Sequence, residues 1–152
     1  MGDFKISSVD GVVSITLANV PNSPATLAHI FSEIGKAQLN IDMICQTAPY
    51  KDKINLSFTI DQKDLTTTLK VVGILKDKYE GLVTEVSPGK CKIMIYSELL
   101  KTQWGVAARL FKAMAENSLQ VKLITTSDME ISILLDDRYH ELAKSALEKE
   151  FL

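Results

Sequence analysis

GVAARLFKAMAENSLQVKLITTSDMEISILL, residues 105–135, is the stretch whose reading decides the fold. Val106, Leu110, Phe111 and Met114 fall at helical spacing and mark one apolar face. Asn117 and Ser118 suit the end of that helix. Two apolar runs follow, Leu119–Ile124 and Ile131–Leu135, parted by the polar turn Thr125-Thr126-Ser127-Asp128. The unit reads helix, strand, turn, strand.

The same unit occurs earlier as TLAHIFSEIGKAQLNIDMICQT. Phe31 aligns with Phe111 at an offset of 80 (111 − 31), and Leu39 with Leu119, Ile41 with Val121 and Ile44 with Ile124 keep it. After the turn Phe58 aligns with Ile133 at an offset of 75, so the first copy carries a turn five residues longer. The chain is an internal duplication.

Working outward, Phe4–Val9 reads as a short strand, Asp10-Gly11 as a turn, and Val12–Ala18 as a half-buried strand. Asn19–Pro24 reads as a loop, with Ser23 as N-cap and Pro24 at the first helical position. Leu27, Ile30, Phe31 and Ile34 form the stripe of the helix that follows. Leu39–Gln46 and Ile54–Ile60 are strands joined by the polar turn Pro49–Lys53. A helix over Asp61–Glu80 presents Leu65, Leu69, Val72, Leu75 and Tyr79. Leu82–Val86 is a strand and Ser87-Pro88-Gly89 a boundary turn. The second copy has Lys92–Ser97, Val106–Glu116, Leu119–Ile124, Met129–Leu135 and a helix from Asp137 lined by Tyr139, Leu142, Ala143, Ala146 and Leu147.

The first copy is βαββαβ, and the second lacks a last strand. An unfinished sheet leaves an edge unpaired and a core face uncovered, and Phe4–Val9 is the spare strand that completes it. The expected fold is therefore α+β: two ferredoxin-like βαββαβ domains, the first inserted in the second. Residues 11–90 form the first, and residues 3–10 with 91–152 form the composite second.

Composition narrows the function. With 152 residues, 46% hydrophobic and 24% charged, each half can bury a core. A net charge of −2 without a basic run argues against nucleic acid. No apolar run approaches the ~18 residues of a spanning helix, so no membrane partner is expected. MGDFKISS has neither the basic nor the apolar region of a signal peptide, and a cytoplasmic location is expected. Cys45 and Cys91 read as reduced core thiols. His29 and His140 read as single helical histidines with no cysteine or carboxylate at ligand spacing, so no metal is expected.

Two nested βαββαβ units resemble the tandem ACT domains at the C-terminal end of aspartate kinases, over almost the whole chain. GVAARLFKAMAENSLQVKLITTSDMEISILL is similar to that family's GVAA-x-x-F-x-A-L-A-E-x-x-I-N-I-x-x-I-S-T-S-E-I-x-I-S. VPNSPA stands where the family has V-P-D-x-P-G, and LNIDMICQT where it has I-N-I-D-M-I-x-Q-N. The catalytic K-F-G-G-T-S segment has no counterpart here, nor does any glycine-rich phosphate loop. The resemblance thus implies a regulatory module rather than a kinase, with no cofactor. It acts on an aspartate kinase catalytic chain, as a homodimer whose first domains pair side by side. The alternative is a free-standing ACT sensor of another amino-acid-metabolism protein. A small hydrolase on the same scaffold would want an arginine in a phosphate-cradling loop, and Arg109 and Arg138 lie in or beside helices.

The effector implied by the resemblance is lysine or threonine, held in the first domain by Asn22, Ser23, Ala25, Thr26, Leu27, Asn40, Ile41, Asp42 and Gln46. The amides of Thr26 and Leu27, at the positive end of a helix, suit a carboxylate. Asp42 suits a distal ammonium and Gln46 either end of the ligand. Asn22 replaces the family's Asp, which favours lysine over threonine, and Ala25 replaces its Gly. In the second domain Trp104 is expected to fill the corresponding pocket with its own ring.

Overall fold

The structure, a computed structural model, describes residues 3–152. Six strands and four helices follow one another as β1 (Lys5–Pro21), α1 (Pro24–Lys36), β2 (Ile44–Gln46), β3 (Lys53–Asp61), α2 (Leu65–Lys78), β4 (Val83–Tyr96), α3 (Val106–Glu116), β5 (Leu123–Thr126), β6 (Glu130–Asp136) and α4 (His140–Phe151). The chain forms two compact units, Val12–Pro88 and the residues up to Gly11 together with Gly89–Leu152. Strand order is β2-β3-β1-β4 in the former and β1-β4-β6-β5 in the latter.

In the unit 12–88, β1 and β3 are antiparallel, with Val13, Ile15 and Leu17 opposite Ile60, Phe58 and Leu56. All six are buried. Alternation sends this row to one face, where Ile30 and Ile34 of α1 and Val71, Val72 and Leu75 of α2 cover it. On the other face Thr16 and Ser57 meet hydroxyl to hydroxyl at 3.0 Å. In the other unit, Cys91, Ile93 and Ile95 of β4 lie opposite Leu135, Ile133 and Ile131 of β6. They pack under Leu110 and Met114 of α3 and Ala143, Leu147 and Phe151 of α4. Phe4 belongs to this second core and touches Phe151, ring centroids 5.0 Å apart. The Arg109 guanidinium lies 4.5 Å from the Phe151 centroid and is held by Glu150 through Nε at 2.8 Å.

Several expectations are corrected. Asp10-Gly11 and Ser87-Pro88-Gly89 do not end strands; β1 and β4 run through them. Gly11 (φ +64) and Gly89 (φ +69) take a left-handed conformation open to glycine, so each strand bends without stopping. The expected loop at Asn19 is a register shift between Leu17 and Val20, with Asn19 at φ +61 and the strand resuming to Pro21. Leu39–Gln46 is extended largely without a ladder, and only Ile44–Gln46 pairs as strand; likewise Leu119–Ile124 contributes only from Leu123. Leu69, Phe111 and Leu142 are 49%, 45% and 47% exposed. The buried stripe of α2 is centred on Thr68, Val71, Val72 and Leu75, and the Thr68 hydroxyl donates to the Asp64 carbonyl at 2.8 Å. Ala113 and Ala143 take the core places next to Phe111 and Leu142. Cys45 is half-buried on β2 rather than a core thiol.

Phe4→Ala is expected to cost about 3 kcal/mol, the lower end of the buried-aromatic range. Amide exchange should accelerate in Gly89–Leu152 more than in Val12–Pro88. Lys90 and Asp136 are cross-strand partners bonded at 3.0 Å. The Lys90 hydrogen bond holds the Asp136 carboxyl below its ordinary 3.8. The stability it contributes is complete above that unfolded value and is lost as the pH falls through the lower folded one. Asp136→Asn should therefore flatten the acid limb of the stability–pH curve below about pH 4, read by denaturant titration.

Candidate functional site

The start of α1 is set by the end of β1. Pro21 is opposite Lys53, and the Asn22 amide donates to the Asp52 carbonyl at 3.0 Å. The chain then turns at Ser23, extended at φ −139 and ψ 129, which is the N-cap as expected, with Pro24 opening the helix. Ser23 Oγ accepts from the Thr26 amide at 3.4 Å, and the Ser23 carbonyl from the Leu27 amide at 3.1 Å. The two amides expected to meet a ligand carboxylate are therefore engaged by Ser23 itself. Pro24 has no N–H, which leaves Ala25 as the first-turn donor that neither Ser23 oxygen serves. The first turn of α1 carries no acidic residue, so the positive end of its dipole is not offset from within the helix. Asn22 and Ala25 are exposed, while Thr26 and Leu27 are half-buried.

Beside this helix start, a cavity of about 360 Å³ is lined by Asn19, Thr47, Tyr50, Lys51, Lys53, Ile54 and Asn55. Lys51 Nζ lies 5.4 Å from the centre of the Tyr50 ring. Thr47 and Asn55 close the hairpin by two bonds of 2.9 Å. Pro49–Lys53, expected only as a polar turn, supplies Tyr50, Lys51 and Lys53 to this cavity. The available signal is a tyrosine followed by two lysines flanking Asp52 at the end of a hairpin, an amphipathic tip of net positive charge suited to a carboxylate.

The remaining expected residues lie elsewhere in the same unit. The Asp42 amide donates to the Thr59 carbonyl at 3.2 Å, and Thr59 is opposite Ser14 on β1. Lys53, opposite Pro21, is six residues from Thr59 along β3, so Asp42 stands about 20 Å along the sheet from the helix start. Asn40 and Asp42 are exposed, and Ile41 packs on the core of the unit. Gln46, opposite Leu56, is exposed and stands about 10 Å along the strand from Lys53. Within one chain the fold does not bring Asp42 to the Asn22–Leu27 junction, and the distance exceeds the reach of an extended lysine. β2 is the outermost strand of this unit and carries Ile44, 51% exposed.

The corresponding helix start in the other unit is different. Gly105 precedes α3 at φ +81 and offers no capping side chain. Trp104 is 95% exposed, so its ring fills no pocket, contrary to expectation. The core under α3 is filled by Val106, Leu110, Ala113 and Met114, the buried residues of that helix. Neither histidine is isolated either. His29 Nδ1 is 2.8 Å from Tyr79 Oη, and its Nε2 is 3.3 Å from Glu33. His140 has Asp137 three residues before it and Cys91 across the fold, with one ligand atom of each within 4.8 Å of the others. The first neighbour is legible in the sequence as an i,i+3 pair. The second is long-range and follows only from the β4–β6 pairing.

Comparison with known proteins agrees with the architecture. The family model of the ACT domain matches residues 13–73 and 93–151, two segments whose starts differ by the 80 residues of the internal repeat (93 − 13). The aspartokinase of Bacillus sp. (strain MGA3) is 32% identical over 144 residues, covering 93% of this chain and 34% of that protein. The aspartokinase of Geobacillus stearothermophilus is 29% identical over 96% of this chain and 35% of that protein. The chain thus spans about a third of the length of the curated relatives it matches. Among solved structures, one of aspartokinase alpha and beta subunits superposes with a TM-score of 0.85 at 28% identity, over 96% of each chain. The ligand-free regulatory subunit of aspartate kinase from Thermus thermophilus has the same fold, with a TM-score of 0.88 at 23% identity over 97% of each chain.

Ser23→Ala removes the capping oxygen at Thr26 and is expected to destabilise the unit 12–88 by about 1 kcal/mol, with Ser23→Gly costing less. Denaturant midpoints of the two variants check this.

Proposed function

The chain belongs to the ACT domain family, and from that premise we propose that it is the amino-acid-responsive regulatory part of an aspartate kinase, binding lysine in preference to threonine as a homodimer. Its ACT domains are residues 11–90 and residues 3–10 with 91–152. The observation that carries the reading is the division of the first domain's polar groups. A helix start with an uncompensated dipole and two neighbouring lysines suits a carboxylate, while Asp42 lies about 20 Å away along the sheet. A second copy resolves the mismatch. The outer edge of β2 is short and carries the exposed Ile44, a combination suited to pairing across a two-fold axis. Antiparallel pairing centred on Cys45 would set the partner subunit's Asp42 opposite Ala48, toward the hairpin tip of the first chain. One lysine would then meet the α1 start with its carboxylate and the partner subunit's Asp42 with its distal ammonium. Asn22, Gln46 and the partner subunit's Asn40 would supply hydrogen bonds around it.

The preference follows from Asn22. An aspartate there would anchor the α-ammonium by a charge-assisted bond of roughly 1.5–3 kcal/mol. Asparagine forgoes that charge, which weakens threonine by about one to two orders of magnitude. Lysine retains a second charged contact at Asp42. The catalytic chain of an aspartate kinase is the partner through which ligand binding acts.

Calorimetry with lysine and threonine, on the wild type and on Asp42→Ala, tests the site. Sedimentation run alongside tests the assembly. The expected result is a dimer that binds lysine more tightly than threonine, with lysine weakened about tenfold or more by Asp42→Ala. Tighter threonine binding refutes the preference. Lysine binding by a monomer, or binding indifferent to Asp42→Ala, refutes the shared site.

A further inference from the structure

At the start of α4, the short 3-10 turn Asp137–Tyr139 leads directly into His140. Its first residue and the histidine are three apart, so both side chains share one side of the turn. β4 supplies Cys91, directly opposite Leu135 on β6 and fully buried. One ligand atom of Cys91, Asp137 and His140 lies within 4.8 Å of each of the others. We propose that Cys91, Asp137 and His140 form a binding site for a single divalent transition-metal ion of the zinc class.

The donor set is one thiol, one carboxylate and one imidazole. Sulfur with nitrogen is the chemistry of zinc, and argues against magnesium or calcium, which take oxygen. Bond lengths of about 2.0–2.3 Å put tetrahedral ligands roughly 3.3–3.8 Å apart, so closing the site needs movements of about 1 Å. His140 Nδ1 and Asp137 Oδ1, 3.9 Å apart, are too distant for a hydrogen bond and close to that ligand spacing. The Asp137 side chain is half-exposed at 48% and is the group free to move. It also gives an entry path from solvent.

His140 is already oriented for the task. Its Nε2 lies 2.7 Å from Ser8 Oγ on β1. An Nε2–H donated to that hydroxyl leaves the Nδ1 lone pair facing Asp137, which is the arrangement of a histidine ligand held by an outer partner. Ser8 is a positioning residue in this scheme. Cys91 makes one weak contact, 3.9 Å from Sγ to the Asp136 carbonyl. Burial first, then the charge of Asp137 and more weakly that of Asp10, push its thiol up to about 11. Fully buried, Cys91 Sγ presents no face to a substrate from solvent, which removes a Cys–His–Asp hydrolase as the use of the cluster. The same carboxylates attract a cation. When the ion binds, the Cys91 proton leaves to solvent, the thiolate and the Asp137 carboxylate balance the two positive charges, and neutral His140 adds its lone pair. The fourth position is open to water.

Cobalt(II) titration of the full chain, followed by optical absorption, tests the site. The expected result is one equivalent bound, a near-ultraviolet thiolate-to-cobalt band, visible bands of tetrahedral intensity, and loss of all of them when zinc is added. His140→Gln and Asp137→Asn, at partly exposed positions, should each weaken binding about tenfold or more, and Ser8→Ala about tenfold. Cys91→Ser should abolish the near-ultraviolet band, and Cys45→Ser should leave it unchanged. Absence of a thiolate band in the folded wild type overturns the proposal, as does a band that disappears with Cys45→Ser. Unchanged affinity in both His140→Gln and Asp137→Asn overturns it even if Cys91→Ser fails to fold.

Discussion

Ile15 against Phe58 and Leu17 against Leu56 are the contacts on which the unit 12–88 depends. Each side chain is buried, and burying one of this size contributes about 1.5–3 kcal/mol. A slip of one residue would turn the whole row toward the opposite face, where Thr16 and Ser57 now meet. The register is thus held by hydrophobic burial and checked by a polar pair. Once it is set, Pro21 must face Lys53, and α1 must begin beside the tip of the β2–β3 hairpin. The position of the candidate anion site is a consequence of core packing several residues away.

The same register sets the limit of what one chain can bind. Antiparallel strands convert sequence separation into distance at about 3.3 Å per residue. Thr59, which receives the Asp42 amide, is therefore well removed from Lys53. In sequence, Asp42 and Asn22 look like neighbours across a helix. In the fold, the helix carries the chain back along the sheet and releases it at the far end. A carboxylate at one end of the sheet and a helix start at the other lie too far apart for one lysine to span within a single chain.

The duplication, the four helices and the nesting were legible because they rest on periodicity and on counting strands. Helix starts were legible where chemistry is local, as at Ser23-Pro24. Strand ends were not. Asp10-Gly11 carries a turn signal, but Gly11 takes a left-handed conformation within a strand that runs on from Lys5 to Pro21, where Val12 at once opens the ladder to β3. Leu69 and Phe111 sit at helical spacing yet at the rim of the stripe, and periodicity does not separate rim from centre. The amides of Thr26 and Leu27 were legible as donors. Their engagement depends on how Ser23 directs both its oxygens, which is geometry rather than composition. The cluster of Cys91 with Asp137 and His140 joins residues far apart in sequence, and only the pairing of β4 with β6 makes them neighbours.

Shared topology does not make the two repeats chemically equivalent. Both helix starts lack an acid in the first turn, but only the first carries a capping side chain, that of Ser23. In the second, Gly105 caps nothing, and Arg109, one turn into α3, is spent on Glu150 and on the rings of Phe4 and Phe151. A guanidinium that donates to both the carboxylate and the carbonyl of Glu150 has two of its directions filled. For a ligand carboxylate to recruit it, those bonds must break and the aromatic contacts loosen together. The groove of about 390 Å³ around Arg109 is accordingly a place where the composite unit is held shut. Its residues bind the N-terminal segment to α4, whereas His29, the counterpart of Arg109 at an offset of 80, is bonded to Tyr79 and Glu33 within the first repeat. The two repeats thus share a topology while one presents a serine-capped helix start and the other links Phe4 to Phe151.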